Sequence, residues 1–459
     1  MADVTEPKPD ALTAEDRYSG VRRTYIAGLF ISSLGSGMMG LTSSFLVYQQ
    51  TGKVSYVALI LVLVNFPQLL LAPVATRLAH RWGGPKLYVA VWGVSYTLIL
   101  LPFALGLFGH LTAFTLLAWY FVQGTVQGLG TPTAGLVRTE IAPANGAAEF
   151  NGAAVRATAS ATMIGILIGG AALALIGPSW IYLFASLSGY PLVLAVVPLI
   201  KNVVPDRTAV AGRLSQAFDV QRTNPEIRAA YRFALVLFLL SGYAVTLPAI
   251  ASTIGEKAII LSSLQAAGVF GGLFVVIGVR FIHRRATWLS VQRICLAVIA
   301  LAILYLGWVA FRDHQPIWYL VAAIVAIIPL GFALNLDSAV LNAAVQVTAP
   351  PESRTPVLTA YALIPLFALP VGELIIGGIA DLVSVQFALI VVGGTTLILV
   401  ALPRHAAVRA AYTKLDAEHV FPEAGLDDAI TIGSIEEAGQ TIADQVVGPE
   451  ISNVEERER

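Results

Sequence analysis

The sequence predicts an all-α membrane protein with twelve transmembrane helices in two pseudo-symmetric six-helix halves. Of its 459 residues, 57% are hydrophobic and only 12% are charged, whereas a soluble globular protein carries roughly 25% charged residues. Twelve apolar runs are each long enough to cross a bilayer, which takes about 20 residues. The polar N-terminal segment lacks the apolar core of a cleavable signal peptide, so we expect the first run to remain as an anchor.

The apolar runs divide the chain into five regions. The approximate bounds of the runs are 24–47, 55–77, 87–109, 111–136, 154–177, 179–200, 230–251, 260–282, 288–311, 317–344, 355–381 and 384–403. We predict an N-terminal tail, an N-terminal half, a linker, a C-terminal half and an acidic, disordered C-terminal tail, at 1–23, 24–200, 201–229, 230–403 and 404–459. Residues 212–224 of the linker are consistent either with a helix along the membrane surface or with a solvated segment.

The lysines and arginines predict the orientation of the protein in the membrane. Basic residues prefer the cytoplasmic side. With the N-terminus inside, 25 of the 28 basic residues lie in cytoplasmic segments, and the outer loops hold only Lys53, Lys257 and Arg312. The sequence therefore predicts a multi-pass protein of the inner (plasma) membrane with both termini in the cytoplasm.

Short segments recur along the chain at nearly one spacing. The recurring pairs are Leu78–Trp82 with Phe281–Arg285, Ile141–Ala144 with Thr348–Pro351, and Gly35 with Gly242. Their spacings are 203, 207 and 207 residues, and each member has the same place in its half. This indicates an internal duplication, which predicts parallel halves with a substrate cavity between them.

Four passages resemble a known family. They are Thr76–Lys86 after the second run, Glu140–Gly170 leading into the fifth, Gln346–Arg354 before the eleventh and Pro370–Asp381 within the eleventh. Their order and spacing resemble the major facilitator superfamily, and most closely its branch of enterobactin-exporter-like and macrolide-efflux-like bacterial proteins. The resemblance covers roughly residues 20–405 and implies the twelve-helix major facilitator fold.

The first two passages depart from the family pattern. The family's loop after span two reads Gly-x-Leu-Ala-Asp-Arg-x-Gly-Arg-Lys, and here Arg81 and Gly83 match while Thr76 and His80 replace the Gly and the Asp. Ile166 replaces the proline of the family's antiporter signature in span five. Arg81 stays a gating candidate, although the carboxylate that the family pairs with such basic residues is absent.

Two acidic residues lie within the predicted spans, where an ionisable group costs about 2.5–3.5 kcal/mol on insertion scales. Asp337 lies in span ten and Glu373 in span eleven, and the resemblance implies that both spans border the cavity. Burial favours the neutral form of a carboxyl, which suits a proton carrier. We therefore predict that they couple transport to protons. The alternatives are an ion pair or helix cap for Asp337 and backbone contacts for Glu373.

Charged residues at the inner helix ends are candidates for a cytoplasmic gate. Arg138 and Glu140 end span four, Arg156 begins span five and Arg354 precedes span eleven. We predict that they form a network across the cytoplasmic side. Solvated helix ends would explain the same residues without any gating role.

Amide and aromatic side chains on the implied cavity helices are the substrate-cavity candidates. They are Asn65, Gln68, Trp119, Gln123, Gln127, Tyr243, Asn335 and Tyr361. With few charges, such a cavity suits a moderately large amphipathic or apolar molecule better than a sugar phosphate or dicarboxylate. Helix packing or interface anchoring is the alternative for each aromatic residue.

Several functional classes lack a signal in the sequence. The chain has no Gly-x-x-x-x-Gly-Lys-Ser/Thr phosphate loop, so it does not drive transport with ATP by itself. It shows no nucleophile–base pair and no metal-ligand spacing, and Cys295 alone forms neither a disulfide nor a thiolate metal site. We therefore expect no enzymatic activity, cofactor, metal or nucleic-acid partner.

The resemblance implies a monomeric secondary active transporter in the bilayer, whose partners are a small-molecule substrate and protons. Within the branch, the expected activity is proton-driven efflux of a hydrophobic or amphipathic compound, such as a drug or a siderophore-like metabolite, by alternating access. Two alternatives stay open. One is a proton-coupled importer, and the other is a degenerate, non-transporting sensor or assembly partner.

Overall fold

The computed structural model describes residues 18–143, 146–201, 214–255, 257–275, 278, 287–310, 318–350, 353–401, 410 and 413. Within these ranges the secondary structure is helical and contains no strand, which confirms the predicted fold class. The N-terminal tail to residue 17, the repeat segment 281–285 and nearly all of the predicted tail at 404–459 lie outside the described residues.

Six helical spans form the N-terminal half. They are α1 (Ser19–Thr51), α2 (Val54–Trp82), α3 (Gly84–Leu98 and Leu100–Leu107), α4 (Ala113–Ile141), α5 (Ala147–Ile176) and α6 (Pro178–Val196, followed by the 3-10 turn Val197–Lys201). Helix α1 packs against α5 and α6, and α4 packs against α2 and α3.

Six further spans form the C-terminal half with related pairings. They are α7 (Pro225–Leu240, the 3-10 turn Gly242–Thr246 and Leu247–Ile254), α8 (Ala258–Leu273), α9 (Trp288–Val309), α10 (Trp318–Thr348), α11 (Arg354–Leu382) and α12 (Val385–Ala401). Helix α7 packs against α11, and α10 packs against α8 and α9. A linker helix, Leu214–Thr223, precedes α7 and packs against α11; this part of the linker is therefore helical, and its position along a membrane surface stays a prediction.

The twelve helical spans match the twelve apolar runs in order. Among the described residues, nine helical segments are long and apolar enough to cross a membrane, and α8 and α12 are shorter apolar helices. The remaining span, α4, is 29 residues long, but its stretch Gln123–Thr139 carries two glutamines, four glycines, four threonines and a proline among its apolar residues.

Prolines interrupt two of the spans. A proline has no N–H to donate to the carbonyl four residues earlier, so Pro102 leaves the Leu98 carbonyl free at the break in α3. The Trp119 indole N–H donates to that carbonyl over 2.9 Å. Pro248 stands in the same relation to Ala244, which lies in the 3-10 turn of α7. Regular α-helix is thus interrupted in the turn before each of these two prolines.

Close helix contacts recur in the two halves at the predicted spacing. A Cβ added to Gly165 of α5 would clash with the carbonyl oxygen of Leu34 in α1. Gly372 of α11, 207 residues after Gly165, has the same relation to the Leu239 carbonyl in α7. Small residues allow helices in membranes to approach closely, and this shared contact confirms that the two halves are pseudo-symmetric.

Candidate transport pathway

The two halves meet at one face of the helix bundle. We call the face that carries the start of α1 and the linker helix the linker face, and the opposite one the far face. Among the described residues, the main contacts between the halves join α2 to α11 and α5 to α8, with smaller contacts from α1 to α8 and from α7 to α1 and α2. The two main contacts lie where α2 and α8 begin and where α5 and α11 end, at the far face.

The α5–α8 seam consists of small side chains in close contact. A Cβ added to Gly170 of α5 would lie 2.6 Å from the Cβ of Ser262 and 3.1 Å from the carbonyl oxygen of Ala258 in α8. The Ser262 hydroxyl donates within α8 to the Ile259 carbonyl over 2.9 Å. Van der Waals packing therefore holds this seam together.

The α2–α11 seam combines a close contact with hydrogen bonds. A Cβ added to Gly377 of α11 would lie 2.9 Å from Cα and 3.0 Å from the backbone nitrogen of Ser55 in α2. One turn later, the Asp381 carboxylate accepts hydrogen bonds from the N–H of Val54 (2.7 Å), from the N–H of Ser55 (3.0 Å) and from the Ser55 hydroxyl. The last turn of α11 is thereby joined to the first turn of α2.

A third contact crosses between the halves closer to the middle of α1. The Gln265 side-chain amide of α8 donates to the Ser44 hydroxyl of α1 over 3.4 Å, and both side chains are partly buried. Together with the two seams, this contact closes the space between the halves toward the far face.

A cavity of about 930 Å³ is open at the linker face, between the starts of α1 and α5. Its lining is apolar, with Phe30 and Phe150 as the aromatic members, apart from the charged residues Arg22, Arg23 and Glu149. The main contacts between the halves thus lie at the far face, and the cavity at the linker face is lined by residues of the N-terminal half.

Asp337 lies inside the C-terminal half. Its side chain is 0% exposed and lies close enough to the Cys295 thiol of α9 and the Tyr361 hydroxyl of α11 for electrostatic interaction. Asn335, two residues earlier and about 200° around the helix, instead packs against α8, where a Cβ added to Gly272 would lie 2.9 Å from its amide nitrogen. The two neighbouring polar residues of α10 therefore face different helices.

Glu373 lies beside the interruption of α7. A Cβ added to Gly242, the first residue of the 3-10 turn, would lie 3.0 Å from both Cα and Cγ of Glu373. The Glu373 side chain is half-buried. This acid therefore contacts irregular backbone, which in membrane transporters is found where it is buried in protein or lines a cavity.

Three of the predicted cavity residues make contacts within the N-terminal half. Trp119 donates to the Leu98 carbonyl of α3, and Gln123 donates to the Ser95 hydroxyl of α3 over 2.7 Å. Gln68 of α2 accepts a hydrogen bond of 3.2 Å from Thr131 of α4. These side chains join neighbouring helices of one half and are absent from the lining of the linker-face cavity.

The other two predicted residues of this half have polar groups without such contacts. Asn65 is 7% exposed, and its amide nitrogen has no hydrogen-bond partner in the described part of the chain. Gln127 is half-buried. In the described structure, Asn65 of α2 therefore has a buried amide nitrogen that is free to bind.

The predicted tyrosines of the C-terminal half are buried. The Tyr243 hydroxyl lies 3.6 Å from the position of a Cβ added to Gly268 in α8. The Tyr361 ring lies 6.4 Å from the Tyr231 ring of α7, and its hydroxyl has no hydrogen-bond partner among the described residues. Tyr361 thus contributes a polar atom to the interior around Asp337.

The predicted gate residues are not brought together at the linker face. Arg138 is 6% exposed and interacts with Tyr88 of α3, inside the N-terminal half. Glu140 and Arg156 are exposed, as are Arg81 and Arg354, and the described part of the chain contains no ion pair between Glu140 and Arg156. Arg354 is the member of this set that belongs to the C-terminal half, so a change in the arrangement of the halves would alter only its distance to the others.

Sequence reasoning did not single out Asp381, Gln265 or Gln292 as site residues. Asp381 lies 327 residues from Val54, to which it is bonded, so no local pattern reveals the contact. Gln292 of α9 is 0% exposed, one turn before Cys295, and neither polar atom of its amide has a hydrogen-bond partner among the described residues. A glutamine within an apolar run was the available signal for Gln292.

The described residues contain no group of three or more histidine, cysteine or acidic side chains placed to hold a metal ion. Cys295 is buried. Residues that could hold a metal or a cofactor are therefore not apparent in this part of the molecule.

Two pseudo-symmetric six-helix repeats whose main contacts lie toward one face form the architecture of many membrane transporters. The sequence matches the family model described as "Major Facilitator Superfamily" over residues 25–372, and the chain belongs to this superfamily. It is accordingly a multi-pass membrane transporter. A comparison with curated proteins finds no significant match.

Solved transporters share the fold at low sequence identity. The nucleoside transporter NupG, as a D323A mutant, matches with a TM-score of 0.66 and 13% identity over 85% of this chain and 99% of that one. A bacterial homologue of the iron transporter ferroportin, in an inward-facing state, matches at 0.62 and 15% over 86% and 98%. A bacterial homologue of the human lysosomal transporter Spinster, inward-facing and unoccupied, matches at 0.53 and 16% over 96% and 98%.

Proposed function

We propose that this protein exports a hydrophobic or amphipathic small molecule from the cytoplasm by alternating access, driven by the proton gradient. The observation that carries the proposal is the asymmetry of the molecule: among the described residues, the main contacts between the halves lie at the far face, and a cavity of the N-terminal half opens at the linker face. Such an arrangement is one end state of a transporter whose halves rock around a central site.

The charge distribution supports a cytoplasmic linker face. Of the 28 basic residues, 25 fall in the tails and in the segments that the sequence assigns to the side of the linker, whereas Lys53 and Lys257 lie at the far face. Basic residues are retained preferentially on the cytoplasmic side. In this orientation the open cavity receives its cargo from the cytoplasm.

The cavity lining supports an amphipathic cargo. Its walls are largely apolar, and its charged members are two arginines and one glutamate. Cavities of several hundred Å³ with apolar walls and a few polar groups suit small organic ligands. The resemblance to the enterobactin-exporter-like and macrolide-efflux-like branch adds a drug or a siderophore-like metabolite as the class of cargo.

Asp337 and Glu373 are the proposed proton carriers. A carboxylate that is fully removed from water is costly in its charged form unless it is paired, and the Asp337 side chain is fully buried in the interior of the C-terminal half. Glu373 lies at the interruption of α7, a helix of the kind that moves relative to its neighbours when the halves rock. Protonation of these groups would alternate with cargo binding.

The proposal is tested in everted membrane vesicles with an acid interior and a pH-sensitive dye. Antibiotics, dyes and siderophores are added one at a time, and a transported compound should dissipate the gradient. The same compound should have no effect in vesicles that lack the protein or contain Asp337→Asn or Glu373→Gln. Asp219→Asn, at an exposed acid of the linker helix, is the matched control and should behave as the wild type.

The outcomes separate the proposed function from its alternatives. Dissipation of the gradient that persists in both acid variants would contradict the proton-carrier assignment but not export. No response to any compound, together with uptake of a radiolabelled compound into whole cells, would indicate an importer. Absence of both signals across the panel would contradict transport of this cargo class and favour a sensor or assembly partner.

A further inference from the structure

We infer that Asp381 is a latch that closes the far face, because it caps helix α2 of the other half from its position in α11. The inference rests on the proposed alternating access and adds a residue that controls it. The contact spans 327 residues of sequence and joins the two halves directly through hydrogen bonds to both carboxylate oxygens.

Helix α2 lacks a cap of its own. The first N–H groups of any α-helix have no partner within the helix and are usually satisfied by a Ser, Thr, Asp or Asn side chain at the N-cap. The N-cap of α2 is Lys53, whose side chain makes no capping hydrogen bond, and the first turn contains no acidic residue. The carboxylate of Asp381 supplies the missing acceptor to Val54 and Ser55.

Each of the two helix ends carries a charge that suits the other helix. The N-terminus of a helix bears a partial positive charge and the C-terminus a partial negative one. The positive Lys53 at the start of α2 and the negative Asp381 in the last turn of α11 are therefore both unfavourable for their own helices. In the closed seam the carboxylate lies at the positive end of α2. Opening the far face would return both helix ends to an unfavourable electrostatic environment.

The approach of the two helices depends on a glycine one turn before the latch. Gly377 allows the α11 backbone to reach that of α2, since a Cβ there would lie 2.9 Å from the Ser55 Cα. The carboxylate can reach both N–H groups only at this separation. The latch is therefore sensitive to small displacements and would release when the halves begin to rock apart.

The test measures conformation rather than transport. Spin labels are placed at the far face through His110→Cys with Lys257→Cys, and separately at the linker face through Ala147→Cys with Ser290→Cys. All four positions are exposed, and the native Cys295 is buried. Distances between the labels are measured by double electron–electron resonance in the full-length protein reconstituted in lipid nanodiscs.

Asp381→Ala should increase the ratio of far-face-open to far-face-closed molecules about tenfold, as expected when a helix loses a charged cap. The far-face distance should lengthen and the linker-face distance should shorten. Asp381→Asn, which keeps one acceptor oxygen, should give a smaller shift, and Ser55→Ala, which removes only the hydroxyl donor, should give the smallest. Asp219→Ala is the matched control and should leave both distances unchanged.

Equal distance distributions in Asp381→Ala, Asp381→Asn and Asp219→Ala would overturn the latch. Because Asp381→Asn preserves the size of the side chain, a folding defect in the alanine variant would not obscure the result. A shift in distances without transport of any compound would support the latch and contradict the proposed export. Transport without a shift in distances would support the proposed export and contradict the latch.

Discussion

The two seams of the far face occupy equivalent positions in the internal repeat. Gly170 of the α5–α8 seam and Gly377 of the α2–α11 seam are 207 residues apart, and each lies against the first turn of a helix of the other half. The helices that they contact begin at equivalent lysines, Lys53 and Lys257, and neither lysine caps its helix. The duplication therefore produced two seams with one backbone design.

The chemistry of the seams differs at the next turn. The position 207 residues before Asp381 is Ala174, and the position 204 residues after Ser55 is Ile259. One seam therefore has a carboxylate with three hydrogen bonds, while its counterpart has only methyl and methylene groups. Both seams therefore close the far face by helix packing. In the α2–α11 seam alone, the hydrogen bonds of Asp381 add a requirement for a particular distance and orientation of the two helices.

Gly377→Val is expected to have the largest effect on far-face closure. The new side chain would meet backbone atoms of α2, with Ser55 Cα at 2.9 Å and the Val54 carbonyl carbon at 3.2 Å, and backbone cannot rotate aside. Overpacking of this kind costs about 1–3 kcal/mol. The far-face label pair should report mostly open molecules.

Gly378→Val provides the matched control for this substitution, since a Cβ at Gly378 has no neighbour within 4 Å. Gly378→Val changes the helix propensity of α11 as Gly377→Val does, but it introduces no contact with α2. If Gly378→Val opened the far face as much as Gly377→Val, helix destabilisation rather than the seam would be the cause.

Gly170→Ala is expected to have a smaller effect, and one that can be reversed. Here the nearest atoms belong to the Ser262 side chain, with its Cβ 2.6 Å from the added methyl group. Removal of that side chain in the double variant Gly170→Ala with Ser262→Gly should restore closure, because the volume is only exchanged between helices. Labels across the far face measure both variants, and a double variant as open as the single one would contradict side-chain packing as the basis of this seam.

Hydrophobic run length, basic-residue distribution and repeat spacing were sufficient to predict the twelve-helix, two-half fold. Each is a property of sequence segments of about 20 residues, the length that the bilayer selects. The spacing of 207 residues found in the sequence also separates Gly165 and Gly372, whose helix contacts are equivalent. The fold was therefore accessible from patterns within segments.

Such patterns did not predict which neighbouring helix or cavity an individual side chain faces. In a helix that is apolar around most of its circumference, the sequence does not reveal which face meets a neighbour and which meets a cavity. Asn335 and Asp337 are two residues apart and face different helices, and Trp119 and Gln123 bond to α3 within their own half. The Asp381 latch depends on two helices from different halves, and only the assembled structure brings them together.

Ala174→Asp tests whether the latch can be installed in the other seam. The exposed residue Ala174 would present a carboxylate to the uncapped first turn of α8, where a favourable charge–dipole interaction amounts to about 0.3–1 kcal/mol. In the Asp381→Ala background, Ala174→Asp should lower the ratio of far-face-open to far-face-closed molecules roughly two- to fivefold. Ala174→Leu, of similar bulk but without charge, is the control, and equal closure by both variants would attribute the gain to packing alone.

Disruption of the Ser44–Gln265 contact is expected to have the smallest effect. Its 3.4 Å length exceeds the usual 2.7–3.2 Å for an N–H···O bond, so its net contribution should lie below about 0.5 kcal/mol, at the low end for hydrogen bonds. Ser44→Ala, Gln265→Leu and the double variant should each change the open-to-closed ratio less than about threefold, with little coupling between them. Coupling as large as that between Asp381 and Ser55 would place the main closure in the middle of the molecule, and the two seams would then follow its movement rather than control it.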